Sequence, residues 1–132
     1  MATPISKYYK DELGEWNNTI LFYRNELGEF GVKLSEVIRR NSIVGIAKKV
    51  EGYQMKLNNA ADKFYKLQLE MQQQEASLKT DSTLIDDSLV NNEIEQRQVE
   101  LRRKMHEVEN EYIDVKFDCY NFLSQTLKKK KE

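Results

Sequence analysis

Apolar side chains recur along this chain at alternating steps of four and three residues. The first series is Tyr9, Leu13, Trp16, Ile20, Tyr23, Leu27, Phe30, Leu34 and Val37. The second is Ile46, Val50, Tyr53, Leu57, Ala60, Phe64, Leu67, Met71, Gln74 and Leu78. The third is Ile94, Gln98, Leu101, Met105, Val108, Tyr112, Val115, Cys119, Phe122 and Thr126. That beat places one stripe on one side of an α-helix and marks helices that pack along a seam. Strand-like alternation never extends beyond a few residues. The pattern therefore predicts an all-α fold: an elongated antiparallel three-helix bundle with coiled-coil-like seams, in a single domain of 132 residues.

Capping chemistry places the boundaries. Thr3-Pro4 suits an N-cap followed by proline at the first helical position, so helix 1 is expected over about 4–40. Arg39-Arg40-Asn41-Ser42 supplies cations and then turn formers, and helix 2 follows over about 44–79. Lys79-Thr80-Asp81-Ser82-Thr83 reads as the second break, with helix 3 over about 84–128. Its start is open between Thr83 and Ser88, because Asp86, Asp87 and Ser88 offer a second set of caps. Residues 129–132 form a frayed basic tail. Folding the series back on one another sets Phe30 beside Tyr53, Tyr23 beside Ala60, and Gln74 beside Asn91 near Tyr9.

Helix 1 contains a duplication. Tyr8-Tyr9-Lys10-Asp11-Glu12-Leu13-Gly14-Glu15-Trp16 returns fourteen residues later as Phe22-Tyr23-Arg24-Asn25-Glu26-Leu27-Gly28-Glu29-Phe30. Two heptads bring both copies to the same face, about 21 Å apart. Gly14 and Gly28 lower helix propensity, which points to close approach by a neighbour. Two readings stand: equivalent packing layers within the bundle, or helix-packing notches for a repeated partner.

A single seam does not use every apolar residue. Ile113, Phe117, Tyr120 and Leu127 form a second stripe on helix 3, and Phe22 falls off the seam of helix 1. Either a wide face inside one bundle covers them or self-association does. If exposed, Phe22, Ile113, Phe117 and Tyr120 are the candidate interaction surface.

Candidate chemistry is sparse. The lone histidine, His106, has Arg103 three residues before it, so the Glu-x-x-His pair of helical di-iron proteins is missing. With Glu109 it would hold a metal only weakly. Cys119 lies on a seam and reads as a small buried hydrophobe. Five dispersed glycines make no phosphate loop, and no Gly-x-Ser-x-Gly elbow occurs. The expectation is a protein that is not an enzyme and takes no cofactor or catalytic metal. Twenty-one Lys and Arg against 22 Asp and Glu give a net charge of −1, which argues against general nucleic-acid binding. Short apolar runs argue against membrane insertion, and the N-terminal residues lack a secretory pattern. A cytoplasmic location is expected.

Glu15-Trp16, Leu21-Phe22-Tyr23, Glu26, Leu34-Ser35-Glu36-Val37-Ile38 and Asn41 resemble the opening helix of a group of small, uncharacterised bacterial helical proteins. The resemblance covers about the first 45 residues. It implies a bacterial origin and carries over no activity and no catalytic residues. The expected function is a non-enzymatic helical scaffold or protein–protein interaction module, whose partner is another protein or a second copy. The alternative is a ligand- or metal-binding helical bundle assembled from two chains, with Gln74, Asn91 and Gln98 as its polar core groups.

Overall fold

Every residue of the three predicted series is buried or half-buried in the computed structural model. The structure describes residues 4–40 and 44–128. It contains α1 (Ile5–Arg40), α2 (Ile46–Ser77), a hairpin of β1 (Lys79–Thr80) and β2 (Thr83–Leu84), a 3-10 turn at Asp87–Leu89, and α3 (Asn92–Lys128). The long helices run up, down and up, so α1 and α3 are parallel and α2 opposes both. At 1.5 Å per residue each spans roughly 50 Å.

The core is one continuous column. Ile20, Leu34, Val37, Val50, Phe64 and Tyr112 are fully shielded from solvent within it. Its middle is aromatic: the Tyr23 and Tyr112 ring centroids lie 4.8 Å apart, and Phe64 lies 5.6 Å from Tyr23. Tyr23 thus meets Phe64, one turn beyond the Ala60 expected opposite it. Tyr53 stacks on Phe122 at 4.7 Å.

The first break is close to expectation. Gly45 precedes α2 with φ of 88°, a left-handed conformation that glycine adopts without a steric cost. Asn41 and Ser42 lie outside the described residues, as do Thr3 and the 129–132 tail.

The second break corrects the sequence reading. Helix 3 starts at Asn92, well after 84, because Thr83 lies in a strand and Ser88 in the 3-10 turn. Asp81 and Ser82 both have positive φ, 51° and 67°. That pair forms the two-residue turn whose twist suits a tight hairpin. Leu78 and Ile85 at the hairpin base are buried, and the Ile85 N–H donates to the Leu78 carbonyl at 2.9 Å. Burial of these two side chains gives the segment a tertiary reason to leave the helix.

The inserted segment also closes the end of α1. Ser6 Oγ donates to the Ile85 carbonyl at 2.8 Å, and the Ile5 N–H donates to Asp87 Oδ1 at 2.8 Å. A carboxylate from 82 residues away thus meets the positive end of α1. Asn91 caps α3 in turn, accepting the Ile94 N–H at 2.9 Å. Because the hairpin delays α3, Gln74 pairs with Gln98 and not with Asn91.

Candidate interaction surface

The duplicated segment of α1 resolves into two equivalent clamps against α3. Glu12 accepts two hydrogen bonds from Arg102, both at 2.8 Å, and one from Gln98 at 2.9 Å. Fourteen residues later Glu26 accepts from Tyr112 at 3.0 Å and from Lys116 at 2.7 Å. Gln98 and Arg102 also advance by fourteen, to Tyr112 and Lys116, so α3 carries the matching half of the repeat. Glu109, the equivalent of Glu95, accepts the Tyr23 hydroxyl at 2.6 Å. Burial raises the Glu12 carboxyl, but the hydrogen bonds from Arg102 and Gln98 outweigh it and hold its pKa below the ordinary value. Tyr23 and Tyr112 move the other way, raised by burial and then by the carboxylates that accept their hydroxyls.

The acids, rather than the glycines, explain the repeat. Gly14 and Gly28 are exposed, and a Cβ at either would meet nothing within 4 Å. Close approach of a helix of the same chain, which their low propensity led us to expect, does not occur at these positions.

A polar chain crosses the bundle near its hairpin end. Gln74 donates to the Ile94 carbonyl at 2.9 Å and to Gln98 at 3.0 Å, while Gln98 donates onward to Glu12 and to the Tyr9 carbonyl. Gln74 Oε1 is buried without a partner. Asn91 is exposed and occupied by its capping bond, so the three polar groups of the alternative reading do not converge.

The clamps fix how α1 and α3 align: Glu12 with Arg102 and Glu26 with Lys116 are both 90 residues apart. That register collects the predicted surface residues on the outer side of the α1/α3 seam. Phe22 is 59% and Phe117 61% exposed, Tyr120 is exposed with its ring edge-on to Phe30 at 5.2 Å, and Ile113 is half-buried. Phe22, Ile113 and Tyr120 belong to two longer stripes at seven-residue steps, and Phe117 lies beside the second, four residues after Ile113. On α1 the stripe is Tyr8, Glu15, Phe22 and Glu29; on α3 it is Val99, His106, Ile113 and Tyr120. The sequence reading missed Tyr8, Glu15, Glu29 and Val99. Their signal was the seven-residue spacing itself, which a search for the main seam passes over.

The electrostatics of this face are uneven. Arg102 and Lys116 are committed to Glu12 and Glu26, whereas Glu15 and Glu29 have no ion pair among the described residues. His106 is also exposed. On the opposite side, a shallow α2/α3 groove of about 510 Å³ is lined by Lys63, Lys66, Glu70, Arg103, Lys104 and Glu107 together with Leu67, Leu69 and Val108. Its charges neutralise one another locally: Lys104 with Glu70 at 2.9 Å, Arg103 with Glu107 at 2.6 Å and Lys66 with Asp62 at 3.2 Å.

Cys119 is fully buried, and burial pushes its thiol up to about 11. Among the described residues no group of three or more His, Cys, Asp or Glu side chains is placed to hold a metal ion, and no helix is long and apolar enough to cross a membrane. No family model matches the sequence, and no curated protein or solved structure matches it at a significant level.

Proposed function

We propose that this chain is a non-enzymatic helical scaffold or protein-interaction module, and that it engages protein through the outer α1/α3 face. The observation that carries the reading is the gathering of Phe22, Ile113, Phe117 and Tyr120 onto that one face, with Phe22 and Phe117 more than half exposed. Apolar side chains left in water on adjacent helices are the usual mark of a helix-docking surface. The buried column behind them is filled, so the face rests on a stiff support, which suits a scaffold.

Affinity capture with the intact chain, compared with Phe117→Glu, tests the reading. A specific partner, whether a different protein or a tagged second copy, is retained by the wild-type chain and lost from the variant. Identical captures, with both proteins equally helical by circular dichroism, refute a role for this face.

A further inference from the structure

The outer face of α2 carries a row complementary to the furrow between the exposed stripes of the parallel helices α1 and α3, the α1/α3 groove. Lys48, Met55, Asp62 and Leu69 follow one another at seven-residue steps. All four are exposed, Met55 by 63% and Leu69 by 42%. Lys48 has no ion pair among the described residues, and Asp62 pairs with Lys66 at 3.2 Å. Met55 and Leu69 stand fourteen residues apart, the same interval that separates Tyr8 from Phe22 and Val99 from Ile113.

We propose that the α1/α3 groove of one chain receives the α2 ridge of a second copy, antiparallel to α1 and α3. This inference rests on the interaction reading above and names the partner. In that orientation Leu69 meets the Tyr8 and Val99 layer, and Met55 meets the Phe22 and Ile113 layer. Lys48 then reaches the unpaired Glu29, and the Asp62–Lys66 pair lies level with Glu15 and His106. Apolar residues meet apolar residues, and the free lysine meets a free carboxylate. The competing self-contact, two α1/α3 faces related by a twofold axis at Phe22, would set Glu15 of one chain against Glu29 of the other. The twofold contact opposes Glu15 and Glu29 twice, whereas the ridge-in-groove contact brings only Asp62, already paired with Lys66, near Glu15 and sets Lys48 against Glu29, so the balance of charges favours the latter.

The contact is heterologous: each chain offers a groove and a ridge, so copies add head to tail. Within one bundle the Lys63–Glu111 and Lys104–Glu70 pairs set Met55 level with Cys119, about six residues beyond Ile113. Each added copy therefore steps about 9 Å along the bundle axis, and the assembly stays open-ended.

Light scattering on the full chain tests this. Weight-average mass is expected to rise at least about twofold between about 10 μM and about 1 mM, the range in which small interfaces fill. Phe22→Glu destroys the groove and Met55→Glu the ridge, so each alone stays a single chain. Mixed in equal amounts they form a two-chain species and nothing larger, because one intact groove accepts one intact ridge. Glu29→Lys weakens assembly by about two- to fivefold, and Lys48→Glu in the same chain restores it. A mass fixed at one chain for the wild type overturns the proposal, as does a mixture that fails to pair or a Met55→Glu variant that assembles normally. If the wild type stays single while Phe117→Glu still loses a captured protein, self-docking fails and the interaction reading stands.

Discussion

Gly14 and Gly28 each sit in open, exposed helix where a methyl group would touch nothing. Their replacement by alanine removes backbone entropy from the unfolded chain without adding a clash. Each Gly→Ala change is expected to stabilise the bundle by about 0.5–1 kcal/mol, read as a higher melting temperature. Cys119 illustrates the opposite environment. Its raised pKa, about 11, comes from burial alone, so the thiol stays protonated at neutral pH. A thiol-reactive dye should label it only under conditions that open the bundle, with a rate that follows global unfolding. Rapid labelling of the folded protein would contradict its placement in the column.

At the scale of elements, the informative piece is the short segment between α2 and α3. It ends α2, covers the bundle tip with Leu78 and Ile85, and lends Asp87 to α1. Asp87→Ala is expected to cost about 1 kcal/mol, and the lost hydrogen exchange protection should concentrate at the start of α1, 82 residues away. Asn91→Ala should cost a similar amount, with the loss felt at the start of α3. If both variants loosened α3 alone, the long-range cap on α1 would be wrong.

The extent of these elements was legible to different degrees. The α1 and α2 boundaries follow from their seams and fall within about two residues of expectation, the usual scatter at helix ends. The α3 start was not legible. Asp86, Asp87 and Ser88 are good local caps, yet Asp87 is used by α1, and Asn91 caps α3 instead. A local reading cannot see a carboxylate recruited by a distant helix. The hairpin was equally hidden, because Asp81 and Ser82 stand in its left-handed positions where glycine or asparagine would have announced it.

For the whole molecule, acid stability depends on the Glu12 clamp between α1 and α3. The Glu12 pKa is lowered in the folded state, so ionised Glu12 stabilises the bundle above its unfolded pKa of about 4.3. That contribution is lost as pH falls through the lower folded value. Stability should therefore decline below about pH 4.5, and Glu12→Gln should flatten the decline while lowering stability at pH 7. Denaturant midpoints measured from pH 7 to pH 2 supply the check. The site was partly legible at this scale. Phe22, Ile113, Phe117 and Tyr120 were found as apolar residues off the seam, but their meeting on one face needed the α1/α3 register. The fourteen-residue repeat was visible in α1, while its counterpart in α3 changes Gln98 to Tyr112 and Arg102 to Lys116, a match of hydrogen-bond donors that residue identity conceals.

The sequence by itself determined that three long helices form and which side of each is buried. A stripe repeating every three and four residues has only one way to leave water, and that way is local to each helix. Tertiary structure alone decided the register between α2 and α3, the cap that Asp87 places on α1, and the union of two exposed stripes into one face. Those features join residues from 24 to 90 positions apart, and their energies arise only after the chain has turned back on itself.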